Sequence, residues 1–74
     1  MEIILYSADW CPKCQVLKKK LIAKYVEFKV VKDENVLDEM GIDELPVLSV
    51  DGELMDMVAA NIWINSLEGP VNEH

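Results

Sequence analysis

Cys11 and Cys14, in the stretch D-W-C-P-K-C-Q, are the only two cysteines of the chain. Two thiols separated by two residues suit three kinds of chemistry: thiol–disulfide exchange, metal ligation and a covalent crosslink. A crosslink across so short a loop removes little entropy from the unfolded chain and makes a poor staple. A closed zinc site needs four ligands, and beyond the cysteines the only further nitrogen or sulfur ligand of the right type is His74. One copy of the chain therefore cannot complete such a site, although a metal ion or iron–sulfur cluster carried between the cysteines of two protomers stays open. Redox exchange is the reading that the neighbouring residues favour.

Those neighbours describe a helix start. Pro12 suits a first helical position, where the N–H that proline lacks would have no intrahelical partner. From Cys14 onward Leu17, Leu21 and Tyr25 recur at spacings of three and four, with Lys18, Lys19, Lys20 and Lys24 around them, which predicts an amphipathic helix of about three turns. A cysteine at the head of such a helix faces unpaired N–H groups and the positive end of the dipole, so its thiolate, the nucleophilic form, is favoured. Lys13 adds a positive charge of minor, screened effect, and a carboxylate at Asp9 would oppose the dipole. Cys14, one turn further in, is expected to be the more buried thiol, spaced to attack a mixed disulfide formed on Cys11.

The remaining elements must hold that helix end in place. Glu2 to Ser7 is a short apolar run that reads as a buried strand, joined to Cys11 by a loop. Val26 to Val31 alternates as a half-buried strand with Val26, Phe28 and Val30 inward. Asp33 to Met40 reads as a short helix with Val36, Leu37 and Met40 inward and Gly41 as its stop. Val47–Val50 and Glu53–Met55 flank Asp51-Gly52, a two-residue hairpin turn that requires positive φ at both positions. Asp56 is a helix N-cap, and Met57, Ala60, Trp63, Ile64 and Leu67 form a last apolar stripe before Gly69-Pro70 breaks it. Pro46, directly ahead of a strand, must occupy its first position or an edge; a cis Leu45–Pro46 bond would further free the Leu45 backbone to pair with an extended substrate. The order strand, helix, strand, helix, strand, strand, helix predicts a parallel pair followed by an antiparallel hairpin. The chain reads as a single domain over residues 1–70, with 71–74 as a flexible tail.

Composition limits the partners. The 74 residues carry 14 carboxylates against 7 lysines and no arginine, for a net charge of −7, which disfavours nucleic acid and anionic membranes. All seven lysines lie between Lys13 and Lys32, and nine of the acids between Asp33 and Asp56, so a basic region is expected within an acidic whole. No segment is long and apolar enough to span a membrane, and the first residues lack the basic flank and cleavage site of a signal peptide. A cytoplasmic protein is expected, in which two close cysteines are mostly reduced.

A strand, a loop, W-C-P-K-C at a helix start, then G-I-D-E-L-P-V ahead of a strand and a D-G hairpin together resemble the thioredoxin superfamily in its short, glutaredoxin-like form, over about residues 2 to 68. The resemblance implies an α/β thioredoxin-like fold: a four-stranded mixed sheet with three flanking helices on both its faces, in the order β-α-β-α-β-β-α. It implies a thiol–disulfide oxidoreductase with Cys11 as attacking thiolate, Cys14 as resolving thiol and Pro46 in cis beside them. Trp10 either covers the helix end or forms, with Val47 or Val58 nearby, a docking surface for protein substrates; Trp10, Pro12, Lys13, Leu45 and Pro46 are the expected substrate-binding residues. The implied partners are a disulfide-containing protein and a reductant, either thioredoxin reductase or glutathione, acting on a monomer with no bound cofactor or metal. The chain departs from the glutaredoxin pattern at Ala8 or Asp9, at Glu44-Leu45-Pro46 and at Asp56-Met57. Asp9, Glu44 and Asp56 have the wrong sign for the two carboxylates of glutathione.

Overall fold

The computed structural model describes residues 1–67; the Gly69-Pro70 helix break, the domain end at residue 70 and the tail at 71–74 lie outside them. Seven elements follow in order: β1 (Ile3–Tyr6), α1 (Pro12–Ala23), β2 (Lys29–Val31), α2 (Glu34–Glu39), β3 (Val47–Val50), β4 (Glu53–Met55) and α3 (Met57–Asn65). The strands form one mixed sheet in the order β2-β1-β3-β4. β1 runs parallel to β2 and antiparallel to β3, and β3 pairs antiparallel with β4. The element order and sheet are those expected from the sequence.

Alternation along the two central strands sorts their side chains. Ile3 and Leu5 of β1 lie opposite Val50 and Leu48 of β3, and Leu5 and Leu48 are completely buried. Leu17 and Leu21 of α1 and Ala60 and Ile64 of α3 close over this face as one cluster that also holds Val26. Burying each leucine contributes about 1.5–3 kcal/mol, so this layer is what fixes α1 against the sheet. Tyr6 and Ser49, on the other face, are also buried.

Asp56 caps α3 as expected, and Asp33, read from the sequence only as the start of a helix, turns out to cap α2. Asp33 Oδ1 accepts from Asn35 N–H at 2.9 Å, and Asp56 Oδ1 accepts from Ala59 N–H at 2.8 Å, which satisfies donors that have no intrahelical partner. In the hairpin turn Asp51 (φ 52) and Gly52 (φ 88) both adopt the positive φ required of them.

Three expected inward positions differ. α1 stops at Ala23, so Tyr25 falls beyond it and is 64 % exposed, at φ 56. There Tyr25 N–H donates to Ile22 O and Val26 N–H to Leu21 O, which closes the helix with a left-handed residue and turns Val26 into the core. α2 ends the same way around Gly41 (φ 72), with Ile42 N–H donating to Leu37 O; Met40 is its C-cap and is exposed. β2 is shorter than Val26–Val31, and burial fades from Val26 through half-buried Phe28 to exposed Val30. That strand lies at the sheet edge with only β1 beside it, so its far end has little to bury against.

Candidate active site

Both cysteines meet at the head of α1. Cys11 is the helix N-cap, in extended conformation, and Pro12 fills the first helical position. The Sγ of Cys11 accepts a hydrogen bond from Cys14 N–H at 3.2 Å, the bond that a serine or aspartate oxygen makes at an ordinary cap. Sulfur thus occupies the place where α1 presents its orphan donors and the positive end of its dipole. Cys11 and Cys14 are joined as a disulfide, with 5.3 Å between Cα atoms. Cys14 is 1 % exposed and Cys11 4 %. The order is the expected one, but the margin is narrow, and both sulfur-bearing residues are well covered.

Leu17 and Leu21 anchor α1 from below, and β1 delivers the chain to Cys11 through Ser7–Trp10. Cys11 N–H donates to Ala8 O at 3.2 Å, and Ser7 N–H to Val31 O at 2.9 Å, so the approach loop is tied both to itself and to β2. Because β1 and β2 are parallel, the residues following them emerge at the same sheet end. This brings Lys32 to Asp9, with Nζ to Oδ1 at 2.8 Å. The hydrogen bond from Lys32 and then its charge hold the Asp9 carboxyl below its ordinary value of 3.8, against an opposing effect of desolvation and with a lesser contribution from the charge of Lys18. The Asp9 charge that would oppose the helix dipole therefore has a cation beside it. Lys32 was not singled out by sequence reasoning, since 23 residues separate the pair and only the parallel register brings them together.

The Leu45–Pro46 bond is cis, and Pro46 is buried. Lys13, Leu45, Pro46 and Val47 line one groove of about 340 Å³, which also takes in Met55 and Met57. Trp10, 74 % exposed, borders a second depression of about 220 Å³ with Leu37, Ile42 and Leu45. Neither Val47 nor Val58 lines the depression at Trp10. Ile42, Asp43 and Leu45 line both hollows, which therefore adjoin along these residues as a two-part trough bounded by Trp10 on one side and Met57 on the other. A larger hollow of about 650 Å³ opens at the other end of β1, around Met1, Val26 and Phe28, and neither cysteine lines it. Among the described residues no group of three or more Cys, His, Asp or Glu side chains is placed to hold a metal ion, and no helix is long and apolar enough to cross a membrane.

No family model and no curated protein sequence matches the chain. Its shape does match solved structures. One is NrdH-redoxin from Escherichia coli, a glutaredoxin-like protein with a thioredoxin-like activity profile, at 20% identity and a TM-score of 0.71, covering 92% of this chain and 96% of that one. Two glutathione S-transferases also match, Na-GST-3 of the hookworm Necator americanus (18% identity, TM-score 0.68) and that of Ascaris lumbricoides (21%, 0.68). Each match to a transferase covers 86% of this chain but only 34% of the transferase. At such identities the likeness concerns the fold: the chain adopts a thioredoxin-like fold, with its cysteine pair at the head of the first helix.

Proposed function

We propose that the protein is a thiol–disulfide oxidoreductase that reduces disulfides in protein partners through Cys11 and Cys14. The observation that carries this reading is the cap geometry, with Cys11 Sγ on the dipole end of α1 and Cys14 N–H directed at it from 3.2 Å. In the reduced protein a Cys11 thiolate accepts that bond as a charge-assisted one, stronger than to a neutral thiol. It attacks one sulfur of the substrate disulfide, forming a Cys11–substrate bond and expelling the second substrate sulfur as a thiolate that takes up a proton. Cys14, having lost its proton to solvent, attacks Cys11 Sγ and expels the remaining substrate thiolate. Two electrons pass to the substrate, and the protein is left as the Cys11–Cys14 disulfide. Trp10, Pro12, Lys13, Leu45 and Pro46 border the approach and position the substrate chain. The protein works as a monomer with no bound cofactor.

The cycle closes when a reductant regenerates the dithiol, and here charge favours a flavoprotein thioredoxin reductase over glutathione. Glu44 and Asp56 border the groove beside Lys13, where the carboxylates of glutathione would meet like charge. NrdH-redoxin, glutaredoxin-like in form and thioredoxin-like in activity profile, offers a precedent for that combination. The test supplies the oxidised protein with NADPH and thioredoxin reductase, or with NADPH, glutathione and glutathione reductase. Rapid reduction in the first mixture and slow reduction in the second is expected. Rapid reduction by glutathione would overturn the charge argument, and no reduction in either would overturn the oxidoreductase reading.

A further inference from the structure

The trough beside the cysteines has an uneven rim. Its apolar lining includes Ile42 and Leu45, which are shared by both parts, and Pro46 in the larger one. Around it stand five carboxylates, Glu34, Asp38, Asp43, Glu44 and Asp56, against a single ammonium, Lys13. All five belong to residues exposed to solvent, and among the described residues none is ion-paired with a lysine. Three of the other lysines are engaged elsewhere: Lys32 with Asp9, Lys20 with Asn61 Oδ1 and Lys24 with the Leu67 carbonyl. At one end of the trough the exposed ring of Trp10 lies beside Glu34, Asp38 and Asp43. An aromatic face attracts a cation, so the ring and the carboxylates favour the same kind of group.

Resting on the oxidoreductase reading above, we infer that the preferred substrate disulfide lies in a cationic segment, with lysine or arginine on both sides of the attacked cysteine. The segment runs along the trough with its apolar atoms on Leu45 and Pro46. Its cations face the carboxylate rim, and one of them reaches the Trp10 ring. The acidic surface raises the local concentration of such a segment and speeds encounter, an effect that salt screens. Discrimination is therefore set in the second-order step that forms the Cys11–substrate bond, at the expense of acidic substrates.

The test uses two peptides of equal length, each holding one intramolecular disulfide, with the cysteines flanked by lysine in one and by glutamate in the other. Reduced protein is mixed with each, samples are quenched with acid, and the rate at which reduced peptide appears is measured by chromatography. Each rate is divided by that for dithiothreitol, a small dithiol with no acidic surface beside its thiolate, to remove the peptides' intrinsic reactivity. At low ionic strength the lysine peptide is expected to react roughly tenfold faster on this normalised scale. In 0.5 M salt, where the screening length is on the order of 4 Å, the ratio should fall to about twofold. The double substitution Asp43→Asn and Glu44→Gln, both at exposed loop positions, should remove more than half of the low-salt preference. Equal normalised rates for two readily reduced peptides, or a preference indifferent to salt and to the double substitution, would overturn the inference while leaving the oxidoreductase reading intact. Failure to reduce either peptide would overturn both.

Discussion

If Cys11 Sγ caps α1 as well as carrying the chemistry, replacing it by serine and by alanine should have separable consequences. Serine keeps an acceptor in the cap position, whereas alanine leaves Cys14 N–H without the partner it has at 3.2 Å. Loss of an N-cap acceptor costs about 1 kcal/mol, within a range of roughly 0.5–2. Cys14 is 1 % exposed, so water cannot readily replace the lost partner, and an unsatisfied buried N–H raises the figure toward about 1–3 kcal/mol. We expect Cys11→Ala to be about 1.5 kcal/mol less stable than Cys11→Ser. In a chain of this size the total stability is on the order of 4–11 kcal/mol, and the difference corresponds to a lowering of Tm by about 6–12 °C. Urea unfolding of both variants and of reduced wild type, all with excess reductant so that no disulfide contributes, measures it. Reduced wild type, with its charge-assisted acceptor, should not fall below the serine variant. Equal stability of the serine and alanine variants, within about 0.3 kcal/mol, would refute the claim that the sulfur caps the helix.

Other consequences follow from single residues. Leu48→Ala, which empties a fully buried position opposite Leu5, should cost about 2–5 kcal/mol, and a loss below 1 in denaturant unfolding would mean that this layer does not hold the core. Gly41→Ala should cost about 1 kcal/mol from backbone conformation alone, because φ is +72 and the added Cβ meets nothing within 4 Å; an unchanged unfolding midpoint would contradict it. The Asp9–Lys32 pair contributes stability above the ordinary carboxyl value of 3.8, and that contribution is lost as pH falls through the lowered value of the folded state. Lys32→Ala should let the Asp9 carboxyl return upward in an NMR titration, and an unmoved titration curve would show that Lys32 is not the cause.

Much of this architecture is legible because local signals agree with one another. Pro12 marks the head of α1, Asp56 caps the helix it was expected to cap, and Asp51-Gly52 adopts the hairpin turn its residues demand. Helix ends were less legible. Tyr25 continues the apolar spacing of α1, yet the chain leaves the helix at Lys24, with Tyr25 in the left-handed position where glycine is usual. The closing bonds to Leu21 and Ile22 that fix this end depend on Val26 entering the core, a tertiary fact that the periodicity does not contain. Val30 fits a half-buried alternation, but a strand at the edge has fewer neighbours to cover it.

At the site, the cysteine spacing and helix start were readable because they are local, and so was the greater burial of Cys14. The Lys32 partner of Asp9 and the trough joining Trp10 to Leu45 depend on residues distant in sequence. Three carboxylates that looked alike in the sequence also separate in space. Glu44 and Asp56 border the groove beside Lys13, whereas Asp9 is paired with Lys32. A charge pattern along the chain indicates which groups are available, and only the sheet register decides which of them face the cysteines.

The central claim, that Cys11 attacks and Cys14 resolves, is tested most directly by trapping the intermediate. Cys14→Ser and Cys11→Ser proteins, each reduced and then mixed with a protein disulfide, are quenched with acid and digested for mass spectrometry. The account predicts that the Cys14→Ser protein accumulates a mixed disulfide on Cys11, and that the Cys11→Ser protein forms no adduct and reduces no substrate. An adduct on Cys14 in the Cys11→Ser protein, or reductase activity that survives that substitution, would contradict it.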